Sequence, residues 1–111
     1  MAIYANLTVD QGSDFSSVVT VTDSEDQLVD LTNYTYRGQI RKSYSSSTAV
    51  DFVITANTPA NGELTITLTS NQTSNLRAGR YVYDVEIESG NVVTRVVEGQ
   101  LEVTPRVTRT A

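Results

Sequence analysis

Cysteine and histidine are both absent from the 111 residues. The first absence excludes disulfide staples, thiolate metal ligands and a cysteine nucleophile. The second removes the commonest general base and the commonest metal ligand. Proline and glycine are scarce, at two and six residues, too few for a low-complexity linker. No stretch approaches the ~20 apolar residues that would span a membrane. "AIYANLTVD" after Met1 has neither the basic start nor the apolar run of a signal peptide. The expectation is a soluble chain made in the cytoplasm, with no membrane partner. Basic residues are outnumbered, 8 against 13 acidic, for a net charge of −5. Such a chain has no long-range attraction for nucleic acid. The basic residues are scattered, apart from Arg37, Arg41 and Lys42 and the tail pair Arg106 and Arg109.

What the chain does contain is alternation. Apolar content is 39% and charged content 19%, which suits a globular domain. Period two runs nearly throughout. Ile3, Ala5, Leu7 and Val9 mark a first strand, and "QGSD" (11–14) a turn. Phe15, Val19 and Val21 give a second strand, followed by the polar, acidic loop 22–27. "LVDLTNY" re-enters the core through Leu28 or Val29 and Leu31. Tyr34, Tyr36, Gly38 and Ile40 form a third strand, "KSYSSST" an exposed loop, and Val50, Phe52 and Ile54 a fourth strand. "NTPANGE" is a turn. Leu64, Ile66 and Leu68 alternate with threonines in the cleanest strand, and Ser70 can cap a single helical turn. Tyr81, Tyr83, Val85 and Ile87 share one strand face, and "SGN" is a hairpin. Val92, Val96 and the residues between them leave both faces of the last strand partly apolar. Gly99 suggests a bulge, Val103 resumes the pattern, and Pro105 ends pairing.

Seven or eight short strands, with turns about every 8–12 residues, predict an all-β antiparallel immunoglobulin-like sandwich. Residues 1–111 read as one domain, with 105–111 a short C-terminal tail. No repeat and no sustained helical period is present. "RAGRYVY" fits a tyrosine corner: Gly79 permits a sharp approach, and Tyr81 bonds back to the preceding loop. Tyr83 sits two residues on, where an antibody domain places a cysteine. With no cysteine available it must pack instead. Alternating strand aromatics are core residues far more often than a sugar-stacking face.

Four segments, "VDQGSDF", "VDLTNYTYRGQIR", "GELTITLTSNQTSNLRAGRYVYDVEI" and "GQLEVTPRVTR", follow one another between Val9 and Arg109. In this order they resemble small β-sandwich virion proteins of tailed bacteriophages, and are similar to the N-terminal domain of phage baseplate upper proteins. The resemblance implies a non-enzymatic component of the virion, in the tail, the baseplate or the head surface as a capsid decoration. It implies other virion proteins and copies of the chain itself as partners.

Chemistry-bearing constellations are weak. Asp84, Glu86 and Glu88 lie on one strand face, whereas a glycosidase sets two carboxylates across a cleft. Asp23, Glu25 and Asp26 lack the spacing and glycine of a calcium loop. Asp10 and Asp14 flank a turn and suit bonds to their own backbone. A serine–lysine dyad would rest on Lys42, the only lysine. The "NLT", "NYT" and "NQT" triplets fit a glycosylation pattern without a secretion signal. The expectation is therefore no enzyme, no cofactor and no metal. An assembly module stands against a host-surface or glycan-binding module, for which Tyr44 is the one aromatic in an obvious loop. Assembly contacts are expected at strand edges and chain ends: Val92, Val96 and Val103 supply apolar surface, and Arg106 and Arg109 reach an acidic neighbour. The competing reading buries both faces of the last strand within the monomer.

Overall fold

A computed structural model of the chain describes residues 3–22, 25, 27–47 and 49–107, the side chains of 57–59 aside. The described chain is mostly β-strand and forms two sheets. The larger contains β1 (Ile3–Tyr4), β2 (Leu7–Asp10), β4 (Thr35–Arg41), β5 (Val50–Asp51), β8 (Gly79–Ser89) and β9 (Val92–Thr104). Its order is β1-β9-β8-β4-β5, with β2 also on β9. The smaller is β3 (Phe15–Thr20), β7 (Glu63–Leu68) and β6 (Val53–Thr58), in the order β3-β7-β6.

Alternation sets which side of each strand goes inward. In β7 the leucines and Ile66 are buried and the residues between them half-buried. In β8, Tyr83, Val85 and Ile87 are buried between half-exposed acids. One apolar cluster draws on both sheets, with Leu64, Ile66 and Leu68 from the smaller and Ile40, Val85 and Leu101 from the larger. Each such side chain, fully buried, contributes roughly 1.5–3 kcal/mol. Of the two candidates in the re-entering loop, Val29 packs on the core and Leu28 is 54% exposed, while Leu31 is fully buried.

Among the described residues there are nine strand segments where seven or eight are expected, because two expected strands are broken. The fourth breaks at Phe52, which is buried and donates its N–H to the Gly38 carbonyl (3.0 Å). There the chain passes from the larger sheet (β5) to the smaller (β6). The first breaks at Ala5 and Asn6, between β1 and β2.

The wholly antiparallel arrangement is also corrected: β1 and β2 run parallel to β9. The turn at 11–14 takes the chain across to the other sheet, so β2 and β3 cannot form a hairpin. That turn is hooked onto α1 (Ser70–Ser74) and the residues after it. The Gln11 amide donates to the Leu76 carbonyl (2.8 Å) and the Gly12 N–H to Thr73 Oγ1 (3.0 Å). Thr73 Oγ1 in turn donates to the Ser13 carbonyl (2.8 Å). The cap of α1 is Thr69, one residue before the expected Ser70. Thr69 and Gln72 form a reciprocal capping box, while the Ser70 N–H bonds Asp14 Oδ1 at 2.8 Å.

Gly99 is not the bulge. It pairs in register with Tyr83, and the extra residue in β9 is Val96, between the pairs Val85–Val97 and Glu86–Arg95. A bulge turns two successive side chains to one side, and Val96 and Val97 are accordingly both buried.

Candidate assembly surface

The tyrosines of β8 anchor its start. The Tyr81 hydroxyl donates to the Arg77 carbonyl at 2.8 Å. Its ring lies under the Lys42 ammonium, 4.8 Å from the centroid, so the only lysine is placed as a cation over an aromatic face. Gly79 has φ +141°, a conformation that side chains rarely adopt, and it starts the strand beside Lys42.

Tyr83 is buried edge-on against Phe52, with centroids 6.0 Å apart and planes at 80°. Its hydroxyl donates to the Ala5 carbonyl at 2.6 Å, 78 positions away in the chain. Burial, with a smaller contribution from the Tyr4 hydroxyl, pushes the Tyr83 phenol up to about 12. It therefore stays a donor across the physiological range. The break between β1 and β2 is stitched from three sides. The Ala5 N–H bonds the Glu98 carbonyl (2.8 Å), Tyr83 holds the Ala5 carbonyl, and Asn6 Oδ1 accepts from the Gln100 N–H (3.1 Å). Gly99 makes this possible, because any Cβ there would overlap the Ala5 carbonyl oxygen. A further lock, absent from the sequence reading, joins the Tyr36 hydroxyl to the Leu31 carbonyl (3.0 Å).

The acidic row is charge-compensated. Arg37 meets Glu86 at 3.2 Å and Glu88 at 3.4 Å, and Arg95 meets Asp84 at 3.3 Å and Glu98 at 3.5 Å. Asp84 is shifted upward, by burial first and by Glu86 next, with Arg95 opposing. Arg37, Asp84, Glu86, Arg95 and Glu98 line a shallow depression of about 460 Å3 on the outer face of the larger sheet, with Gln39, Arg41 and Tyr44 at its side. The Tyr44 side chain is 82% exposed. Among the described residues no group of three acids is placed to hold a metal ion. Asp23 and Asp26 lie outside the described residues.

The expected contact residues separate. Val96 and Val103 are buried within the chain, at 6% and 1% exposure, and are corrected from contact residues to core. Val96 faces inward because of the bulge. Val103 shares the inward side of the alternation with Leu101, and β9 is paired by β8 on one side and β2 on the other, so over this stretch it is no free edge. Val92 is 67% exposed, at the end of the hairpin beyond β1. With Ile3 it rims an apolar notch of about 330 Å3 whose walls include Val29, Tyr34 and Ile87. Arg106 is folded back: its side chain lies against Gly12 and its N–H bonds Gln11 Oε1 (3.4 Å). Its backbone thereby bonds the 11–14 turn, and the residue is half-buried. Arg109 lies outside the described residues.

No protein-family model and no curated protein matches the chain. Solved structures with a similar course include InlP of Listeria monocytogenes, at 13% identity and TM-score 0.49, over 93% of this chain. The chain spans only 28% of that protein. An extracellular fragment of novel immune-type receptor 11 from Ictalurus punctatus, including its stalk region, is 12% identical over 99% of this chain and 92% of the fragment, TM-score 0.48. A family 123 glycoside hydrolase from Clostridium perfringens is 13% identical over 94% of this chain and 23% of its own, TM-score 0.41.

Proposed function

We propose that the chain is a non-enzymatic structural module of a tailed-bacteriophage particle, an immunoglobulin-like sandwich seated in the tail or baseplate or on the head surface. The observation that carries this reading is the role of the residues behind the resemblance. Gln11, Gly12 and Asp14 of "QGSD" bond Leu76, Thr73 and Ser70 of "TSNQTSNL", and Tyr81 of "RYVYD" bonds Arg77. The shared segments act on one another as braces for loops at one end of the strands. Residues spent on bracing suit a rigid building block, and the ion-paired acids Asp84 and Glu86 suit a solvated face better than a proton-transfer pair. Its partners are other virion proteins and further copies of itself.

The test is mass spectrometry and imaging of purified particles. The chain is expected at a fixed copy number per particle, high for a head decoration and low for a baseplate or tail part. Its absence from intact particles overturns the proposal. One observation favours a second reading, a host-surface or glycan-binding module: Tyr44 stands exposed beside the polar depression of the larger sheet. Glycan-array binding that disappears in Tyr44→Ala would establish it.

A further inference from the structure

We infer that the chain pairs with a second copy of itself through strand β3, edge to edge, extending the three-stranded sheet across a twofold axis. Four observations lead there. First, β3 pairs β7 on one side, and among the described residues no strand lies on its other side. Second, the remaining edges are blunted in the ways that suppress pairing. β5 is two residues long and carries Asp51; β6 shifts register between Ala56 and Thr58; and β1 and β2 are two short pieces with a break between them. By contrast β3 runs six residues, "FSSVVT", in unbroken register with β7, without charge, proline or glycine.

Third, the sequence of β3 tolerates its own copy. Across a twofold axis residue i meets residue j of the copy and j meets i, so a charge at the centre would face itself and a charge elsewhere on the strand would lie against an uncharged residue; β3 has neither problem. A chain of net charge −5 has few surfaces where two copies can meet without acid opposing acid. β3 and the neighbouring strands of its sheet form such a surface, with Glu63 as their single charged residue. Fourth, the faces match. Phe15, Ser17 and Val19 are half-buried and Ser16, Val18 and Thr20 are exposed. An antiparallel pair centred on Ser17 or Val18 keeps inward residues beside inward ones and outward beside outward. The pair would add main-chain hydrogen bonds at the free edge and cover part of Val18, now 59% exposed. A contact of one short strand is small, so the association is weak in dilute solution and grows with local concentration. The inference does not depend on the phage reading.

Sedimentation velocity of the full chain, from low to high micromolar concentration, tests it. The wild-type protein should pass from monomer to dimer. Val18→Lys, on an exposed outward position, should keep the circular dichroism spectrum and melting temperature while raising the dimer dissociation constant at least ~10-fold. Ser16→Lys, on the same face, should do the same and serves if Val18→Lys folds poorly. A chain that stays monomeric throughout the range overturns the inference. So does a dimer that survives both lysines and is lost in Val92→Asp, which would move the contact to the apolar notch.

Discussion

The two sheets are built from the same strand grammar and dressed differently. On the larger, Arg37, Asp84, Glu86, Arg95 and Glu98 cover the outer face in ion pairs, and the N-terminal strands are stitched along β9 by Tyr83, Asn6 and the bare Cα of Gly99. On the smaller, serine, threonine and valine cover most of the outer face, with Glu63 at its end, and among the described residues β3 is unpaired on one side. The charged sheet ends in short or broken strands, and the nearly neutral one ends in a longer unbroken strand. A sheet whose bonds and charges are already satisfied has little to gain from a neighbour. A neutral open edge gains main-chain hydrogen bonds at no electrostatic cost. Position in the sequence does not predict this division. The last strand, expected to be the sticky one, is interior to its sheet over most of its length, and β3, the first strand of the smaller sheet, is the one with an open edge.

The comparison can be broken at the shared core. Ile66 in the middle of β7 is 1% exposed, and Ile66→Ala should cost about 2–5 kcal/mol from lost transfer energy and the cavity left behind. Denaturant melts with unchanged slope are the check. A change within about 0.5 kcal/mol would place Ile66 on a surface. Next is the stitch of the larger sheet. Gly99→Ala drives a Cβ into the Ala5 carbonyl, and should destabilise by about 1–3 kcal/mol through a forced backbone shift. If Gly99→Ala melts like the wild type, β1 does not sit tightly on β9.

The tyrosine hydroxyls sharpen the comparison at smaller cost. Tyr81→Phe removes a single hydroxyl-to-carbonyl bond and should cost about 0.5–1.5 kcal/mol. A thermal melt equal to the wild type would mean the corner bond contributes nothing. For Tyr83 the linkage has a definite sign. Its phenol lies above the ordinary 10.0 in the folded chain, so the corresponding stability is intact below pH 10 and is lost as pH rises from there through about 12. Denaturant midpoints measured along an alkaline series should fall in that window, and should fall less steeply in Tyr83→Phe. The smallest effect belongs to the outer ion pairs. Arg37→Gln should change stability by less than about 1 kcal/mol, and the effect should shrink with added salt, because the Arg37 side chain is 62% exposed.

Much of this was legible in the sequence where a strand alternates cleanly. β7 and β8 declare their inward faces by period two alone, and the turns at Gln11–Asp14 and Ser89–Asn91 carry their own residue chemistry. What was not legible depends on a neighbour remote in the chain. Nothing local at Phe52 says that the strand changes sheets there, since both halves alternate normally. Gly99 announces an unusual backbone site, and a bulge is a fair reading of it; the cause is instead Ala5, more than ninety positions earlier. Val96 and Val103 look like surplus apolar surface as long as β9 is imagined with one partner strand. Val96 enters the core through the bulge, and Val103 through the alternation it shares with Leu101. The residues that brace the 11–14 turn were readable as turn formers, but their partners in and after α1 were not, because side-chain bonds over such separations leave no periodic trace.

The most direct measurement is amide hydrogen exchange followed strand by strand, at low and at high protein concentration. Amides of β8 and of β9 from Val97 onward should exchange slowly, and equally so at both concentrations, because their partners lie within the chain. In β3 the amides that do not bond β7 should exchange fast in dilute solution and become protected as concentration rises. The opposite pattern, with β3 unchanged and protection appearing at Val92–Arg95, would contradict the assignment of the smaller sheet as the open one.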